Sequence, residues 1–359
     1  MCGGRGTKGE GGRLTQATRL ALIGFGNVGR AFARLLLTKR DSLAQEFGIE
    51  WHVVAIAARR AGAAIDSKGI PLDRALEAVE RGGPLAPLSA LPAPTAMDEL
   101  IGACGADILF ENTPVNYETG RPAIDHLQTG LEAGMHAITA NKGPVVHAFR
   151  RLRDLARRQN RHFYFESSVM DGAPIFSLWR TALPGARLRS FRGVLNSTTN
   201  LLLTLMEAGQ TFDEALGQAQ AIGVAETDPS GDILGWDAAV KVAALATVLM
   251  DSPLLPQEVE RQGIEGITPG LLREAREQGR RWKLVCQAEG GDGVVRARVA
   301  PEMIGPDDPL YGVMGTSSSI TFVSDVLGRL TLTEENPGLE TTAYGLLADF
   351  VNAVRTPVG

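Results

Sequence analysis

The run RLALIGFGNVGRAFARLLL (residues 19–37) constrains the fold more than any other stretch of the chain. Leu20 to Ile23 form a short apolar run that stops at Gly24; apolar residues then return with helical spacing at Val28, Phe32, Leu35 and Leu36. A strand that ends in Gly-x-Gly-x-x-Gly and opens a helix is the phosphate turn of a dinucleotide-binding βαβ unit. Gly24 permits the tight turn, Gly26 lets backbone approach a pyrophosphate, and Gly29 allows helix and strand to pack closely. The backbone of Phe25, Asn27 and Val28 completes the turn, whose amides face the anion. Among 42 glycines the pattern alone carries little weight; its place between strand and helix is what counts.

The rest of the first half agrees. WHVVAIAA (51–58) is a second apolar strand one helix length later, and DILFENT (107–113) and HAITANK (136–142) read as two more, each preceded by helical sequence. Strands alternating with helices build a parallel sheet covered on both faces. GGPLAPLSALPAPT (82–95) is a proline-rich loop, and HFYFESSV (162–169) reads as a further strand, after which the alternation stops. RLRSFRGVLNSTTN (187–200) is a strand entering a turn, with the helix LLLTLMEAG behind it. TFDEALGQAQAIG (211–223) is a helix with Thr211 as N-cap and Glu214 completing a capping box. GVVRARVAPEMI (293–304) and SSITFVSDVLGRLTL (318–332) add strand, and TTAYGLLADFVNAV (341–354) is an amphipathic helix. The expected class is α/β: a Rossmann-type parallel-sheet nucleotide domain followed by an α+β domain.

Composition narrows the partners. A net charge of −5 with no long run of one sign argues against nucleic acid, and FRRLRDLARRQNR (149–161) spaces its arginines as a solvated helix face does. Cys2, Cys104 and Cys286 form no Cys-x-x-Cys pair, so neither a disulfide framework nor a zinc site is expected. No apolar run approaches the roughly 18 residues of a membrane span, and the start, MCGGRGTKGEGGRLTQATR, lacks the apolar core of a secretory signal. A cytoplasmic protein with no membrane partner is expected.

The second strand ends at Ala57 and Ala58, followed by Arg59 and Arg60. An NAD-selective fold places a carboxylate there for the ribose hydroxyls; two guanidiniums suit a 2′-phosphate instead, favouring NADP over NAD. The charge-rich stretch AETDPSGDILGWDAAVK (225–241) sits against apolar sequence. Pro229-Ser230-Gly231 suits a turn, and DILGWDAAVKVAALATVLM then reads as one helix, on which Asp237 and Lys241 share a face. Spacing alone fits equally a surface ion pair worth about 0.2–0.5 kcal/mol. Asp228 and Asp232 read as structural, one making the turn and one meeting a helix N-terminus.

Taken in order, GFGNVG (24–29), ENTP (111–114), TANKGP (139–144), ESSVMDGAPIF (166–176), GVLNSTTNLLL (193–203) and GVAETDPSGDILGWDAAVK (223–241) resemble homoserine dehydrogenase, from about residue 19 to the end. The last two motifs are the most specific. The resemblance implies NAD(P)-dependent interconversion of L-homoserine and L-aspartate 4-semialdehyde, in threonine and methionine biosynthesis, by a homodimer. It implies a flexible tail over 1–18, a nucleotide domain over 19–165, a substrate and dimerisation domain over 166–325, and a segment over 326–359 that returns to the nucleotide domain. Position by position, Glu226 and Asp237 fall on substrate-binding carboxylates, Lys241 on the catalytic lysine, and Lys142 on a second lysine touching cofactor and substrate. Thr113 lines the nicotinamide side, and Gly315 stands in a nucleotide-facing turn. Glu166, Val169, Asp171 and Ala173 match a site for a monovalent cation (Na+ or K+), held by a carboxylate and carbonyls.

Three departures stand out. Met170-Asp171 replaces a glycine-rich run, Ser197 stands where many relatives carry glycine, and LTEENPGLETTAYG (332–345) lacks a Gly-rich loop before the last helix. The end near residue 355 leaves no room for an appended ACT domain, so the single-function form is expected. These departures leave room for a paralogous dehydrogenase of another small aldehyde or amino acid. A non-catalytic nucleotide-binding sensor would have no use for Lys142, Glu226, Asp237 and Lys241 together.

Overall fold

Short apolar strands buried on both faces need a sheet on either side and helices above and below. The computed structural model describes residues 17–291 and 294–358, and the sequence divides them between two six-stranded sheets. Residues 1–16, most of the expected flexible tail, lie outside the described residues. The first sheet is built from β1 (Thr18–Ile23), β2 (Trp51–Ala58), β3 (Gly62–Ile65), β4 (Ile108–Glu111), β5 (His136–Thr139) and β6 (Phe163–Tyr164). Their spatial order is β3-β2-β1-β4-β5-β6, parallel throughout except for β3, which folds back on β2. Strand order reverses beside β1, so a crevice opens past the carboxyl ends of β1 and β4.

The second sheet holds β7 (Leu188–Val194), β8 (Glu260–Arg261), β9 (Arg281–Gly291), β10 (Val294–Ile304), β11 (Ser318–Ser324) and β12 (Arg329–Glu334). Its order is β12-β11-β7-β9-β10-β8, antiparallel apart from the short β8–β10 pair. The helix Trp236–Leu249 is buried on nearly every side, packed between the Lys142–Arg158 helix and strands β9 and β10. It thereby connects the two sheets' layers. The α/β expectation with a second, α+β part holds.

Two local readings change, and one gains detail. DILGWDAAVK does not form one helix: Ser230–Ile233 is a single turn, and Gly235 at φ +78° starts a new axis at Trp236. That backbone angle is costly for any side chain other than glycine. HFYFESSV pairs as a strand only at Phe163–Tyr164 and then turns through Glu166–Ser168. The polar groups after Tyr164 find partners on the last helix, Leu339–Arg355, rather than on a strand: Glu166 N–H donates to Asp349 at 2.7 Å and Ser167 Oγ to the Thr342 carbonyl at 2.7 Å. The run 318–332 is a hairpin of two strands.

The last helix lies against the Asn27–Thr38 helix, and Phe350 meets Phe110 edge-on at 6.1 Å, which in turn packs on Phe32 at 4.5 Å. Each of these rings is fully buried, a contribution of about 1.5–3 kcal/mol apiece relative to exposure. Contact with the 166–173 segment is closer still: a Cβ on Gly172 would stand 2.1 Å from the Thr341 carbonyl oxygen. Gly172→Ala is therefore expected to lower unfolding free energy by about 1–3 kcal/mol through overpacking. Gly217→Ala, in the exposed face of the Phe212–Ala221 helix with nothing within 4 Å, should raise it by about 0.5–1 kcal/mol. Urea unfolding of the two variants checks the opposite signs.

Candidate active site

The glycine turn has the shape its spacing implies. Gly24 takes φ +90°, and a Cβ there would lie 2.4 Å from the Asn112 carbonyl carbon. At Gly29 it would lie 2.6 Å from the Gly24 carbonyl oxygen. Gly26 differs: nothing lies within 4 Å of its missing Cβ, and it caps the Asn27–Thr38 helix with no side chain on the helix's first amides. Open space over bare helix-end amides fits a pyrophosphate. Gly26 and Asn27 are exposed and Val28 is half-buried, whereas the Phe25 ring is buried in the core. Arg59 and Arg60 follow β2, both exposed, and neither makes a side-chain hydrogen bond or ion pair among the described residues.

At the other side of the crevice β5 ends in Thr139, and Asn141 caps the helix whose first residue is Lys142. A lysine at a helix N-terminus opposes the helix dipole, so its charge needs a counter-ion from elsewhere. Asp237 supplies it, with Lys142 Nζ 3.2 Å from Oδ1. Lys241, one turn along Asp237's own helix, places Nζ 3.0 Å from Oδ2 and donates to the Leu195 carbonyl at 2.6 Å. Asn196 Nδ2 adds a third donor to Asp237 at 3.0 Å. Burial alone would raise the Asp237 carboxyl, but the two ammoniums and the amide outweigh it and hold it well below the carboxylate range. Burial works against Lys142's charge too; Asp237, followed by Asp171 and Asp232, reverses the shift and leaves its pKa raised.

Asp232 stands in the first turn of the Ser230–Ile233 helix, as its reading as a helix-end residue expects, and it also belongs to this cluster. Asn196 Nδ2 donates to Asp232 Oδ1 at 2.6 Å, and burial, then the Asp237 charge, push that carboxyl up. Asp228 does make the turn, accepting the Ser230 N–H at 3.1 Å. Asn196 itself caps the Ser197–Glu207 helix through Oδ1. Its place is legible only as an Asn before a helical run; its two carboxylate partners lie 36 and 41 residues away. Tyr117 is also drawn in: burial, then the charges of Asp237 and Asp232 and, more weakly, Glu226, raise its hydroxyl. Glu226 is exposed at the rim, beside Tyr117.

Thr113 follows β4, and its carbonyl accepts from Asn141 Nδ2 at 2.9 Å. Gly315 sits at φ +61° in a turn stapled to the Ser197–Glu207 helix: Asn200 Nδ2 donates to the Gly315 and Ser317 carbonyls at 3.0 and 3.1 Å. Lys283, fully buried on β9, donates to Asn200 Oδ1 at 2.8 Å, and burial pushes its pKa down to about 8.

Glu166, Val169, Asp171 and Ala173 share one tight segment against the last helix. Glu166 Oε1 and Oε2 accept from the Phe176 and Ser177 amides at 2.6 and 2.7 Å. Asp171 Oδ1 accepts from Thr342 Oγ1 at 2.7 Å. Met170 and Asp171 take φ +51° and +48°, the left-handed angles a glycine-rich run would supply. Burial raises Glu166, and burial together with the Glu166 charge raises Asp349 to about 8; Asp349 Oδ1 has no hydrogen-bond partner. Two adjacent buried carboxyls with an orphaned oxygen fit a small cation. No group of three His, Cys, Asp or Glu among the described residues forms a metal site, so such a cation depends on backbone carbonyls.

Comparison with known proteins agrees along the chain. The sequence profile described as "Homoserine dehydrogenase, NAD binding domain" matches residues 24–166, and the one described as "Homoserine dehydrogenase" matches residues 174–351. The NAD(+)-dependent homoserine dehydrogenase of Pseudomonas canavaninivorans is 35% identical over 93% of this chain and 95% of its own. The chain belongs to the homoserine dehydrogenase family. The homoserine dehydrogenase of Methanocaldococcus jannaschii is likewise 35% identical, over 93% of this chain and 97% of its own. A hyperthermophilic archaeal homoserine dehydrogenase solved with NADPH superposes with a TM-score of 0.80 at 30% identity, covering 94% of this chain and 98% of that one. The Thiobacillus denitrificans enzyme gives 0.79 at 27%, over 95% and 74%. As in that family, this is an oxidoreductase with an NAD(P)-binding domain. No helix among the described residues is long and apolar enough to cross a membrane.

At the centre of this cluster Asp237 is shared by two ammoniums. Asp237→Asn is expected to cost about 3 kcal/mol of stability at pH 7, because two half-buried ammoniums lose their shared partner. A carboxyl lowered on folding stabilises above its unfolded pKa of about 3.9 and stops doing so as pH falls toward its lower folded value. The gap between wild type and variant should therefore be constant from pH 5 upward and close below pH 4; a gap unchanged in acid would refute the ion triad.

Proposed function

We propose that this chain interconverts L-homoserine and L-aspartate 4-semialdehyde. The observation that carries the reading is the sharing of Asp237 by Lys142 and Lys241, which brings the helix after β5 and the buried helix of the second half onto one point. When bound, the nicotinamide takes up or returns the hydride. In reduction the Lys241 ammonium gives a proton to the substrate's terminal oxygen and is left as the neutral amine; in oxidation that neutral amine takes the proton back. Lys142 Nζ stabilises negative charge on that oxygen. Asp237 spends three acceptor positions on Lys142, Lys241 and Asn196 and holds both amines in place. Its remaining side and the exposed Glu226 carboxylate suit the substrate's ammonium group.

The turn from Gly24 to Gly29, with Phe25, Asn27 and Val28, holds the pyrophosphate; Thr113 and Gly315 line the nicotinamide side. Arg59 and Arg60 grip a 2′-phosphate, so NADP is preferred. The Pseudomonas relative is named as NAD(+)-dependent instead, and kinetics with both cofactors separate the two readings. Glu166 and the carbonyls of Val169, Asp171 and Ala173 would hold a monovalent cation, Na+ or K+, which would neutralise the buried carboxyls and stiffen the segment. The nucleotide domain takes in residues 19–165, the substrate and dimerisation domain 166–325, and the last segment returns to the first domain; the protein acts as a cytoplasmic homodimer.

Absorbance of the reduced cofactor, followed with L-homoserine and NADP or NAD, tests the activity. Turnover of homoserine is expected; turnover only of another substrate, or cofactor binding with none, overturns the assignment. Lys241→Ala should lower kcat by about 100- to 10,000-fold with cofactor Kd nearly unchanged. Arg59→Ala with Arg60→Ala should lower kcat/KM for NADP by about 10- to 100-fold and spare NAD. Equal losses with both cofactors would remove the 2′-phosphate role.

A further inference from the structure

Glu111 has no part in the chemistry above, yet it is completely buried at the carboxyl end of β4, where the cofactor-side loops leave the sheet. Its Oε1 accepts from the Thr113 N–H at 3.2 Å and from the Thr113 hydroxyl, and faces His126 Nδ1 at 3.4 Å. Thr139 Oγ1 donates to the Glu111 carbonyl at 2.7 Å and lies 3.3 Å from Oε2. The same hydroxyl accepts from the Asn141 N–H at 2.9 Å. Asn141 Oδ1 accepts from Gly143 N–H at 2.9 Å, and Lys142 stands between these two anchored residues. His126 is the only ionisable group bonded to Glu111 among the described residues.

The loops so joined have little slack. A Cβ on Gly143 would come 2.8 Å from Gly120 Cα, and Gly24 lies equally tight on Asn112 and Thr113. A small shift at Glu111 is therefore passed on to the lysine rather than absorbed.

We infer that Glu111 is a positioning residue for the reaction: through Thr139 and Asn141 it sets where Lys142 places its amine, and through Thr113 it ties that placement to the nicotinamide side. The inference rests on the reading of Lys142 as a reacting amine. A carboxylate suits the position because it only accepts: the Thr113 N–H and hydroxyl donate to Oε1, His126 Nδ1 faces the same oxygen, and the Thr139 hydroxyl, which donates to the Glu111 carbonyl, packs against Oε2. Glutamine would turn an NH2 toward one of those donors and loosen both loops.

Steady-state kinetics and cofactor titration of wild type, Thr139→Val, Thr139→Ser, Lys142→Ala and the Thr139→Val/Lys142→Ala double variant test it. Misplacing a reacting group by about 1 Å can cost around 100-fold, so Thr139→Val should lower kcat by about 10- to 100-fold while cofactor Kd moves by less than about 3-fold. Thr139→Ser keeps the hydroxyl and should stay within about 3-fold of wild type. In the Lys142→Ala background Thr139→Val should cost less than about 2-fold, because coupled groups are not additive. Glu111→Gln should follow Thr139→Val; should it fail to fold, the threonine series still decides. A wild-type kcat for Thr139→Val, or losses that multiply in the double variant, overturns the relay alone. Full turnover by Lys142→Ala overturns the lysine's role, and the relay with it.

Discussion

A single buried carboxylate governs this molecule. Asp237 lies between an amine from the parallel-sheet half and an amine from its own helix, and it is the ion-pair partner of both. Lys142 occupies a helix N-terminus that disfavours a cation, and the Trp236–Leu249 helix is apolar on almost every face. Lys142 does not stand where local rules would put a cation. It is tolerated because Asp237 of the second half completes it, so docking of the two halves and assembly of the site are one event.

The last helix does comparable work on the opposite flank. It adds Phe350 to the core beneath β4 and holds the 166–173 segment by hydrogen bonds from Glu166 and Ser167 and to Asp171. Packing there is too close for a Cβ at Gly172 or Gly345, and the preceding non-glycine residues 170 and 171 take left-handed backbone. Asp171 is also among the charges felt by Lys142, so this flank bears on the electrostatics of the centre as well as on stability.

Much was legible where physical demand is local. The β1-to-helix glycine turn, the Thr211–Glu214 capping box and the final amphipathic helix can each be read from neighbours within a few residues, and each is present. Misreadings arise where partners are distant. HFYFESSV carries strand propensity, but helix 339–355 takes its hydrogen bonds after Tyr164. The β9 run RWKLVCQAEGG hides its strand because Lys283 interrupts the apolar pattern, and only Asn200 and the 313–314 turn make that lysine a core residue. Asp232 is at a helix N-terminus as the sequence suggests, but its bond to Asn196 is not legible there.

By itself, then, the sequence determined the fold class, the dinucleotide turn and the family, because glycine spacing, hydrophobic period and long motifs are properties of contiguous chain. It also determined which charged side chains needed explaining. Only the tertiary structure decided that Lys142, Asp237 and Lys241 form one triad, that Asn196 and Asp232 join it, and that Glu111 anchors the loop carrying Lys142. The reason is physical: an ion pair or hydrogen bond between residues tens of positions apart leaves no periodic trace, and its strength depends on burial that exists only once the sheets have packed.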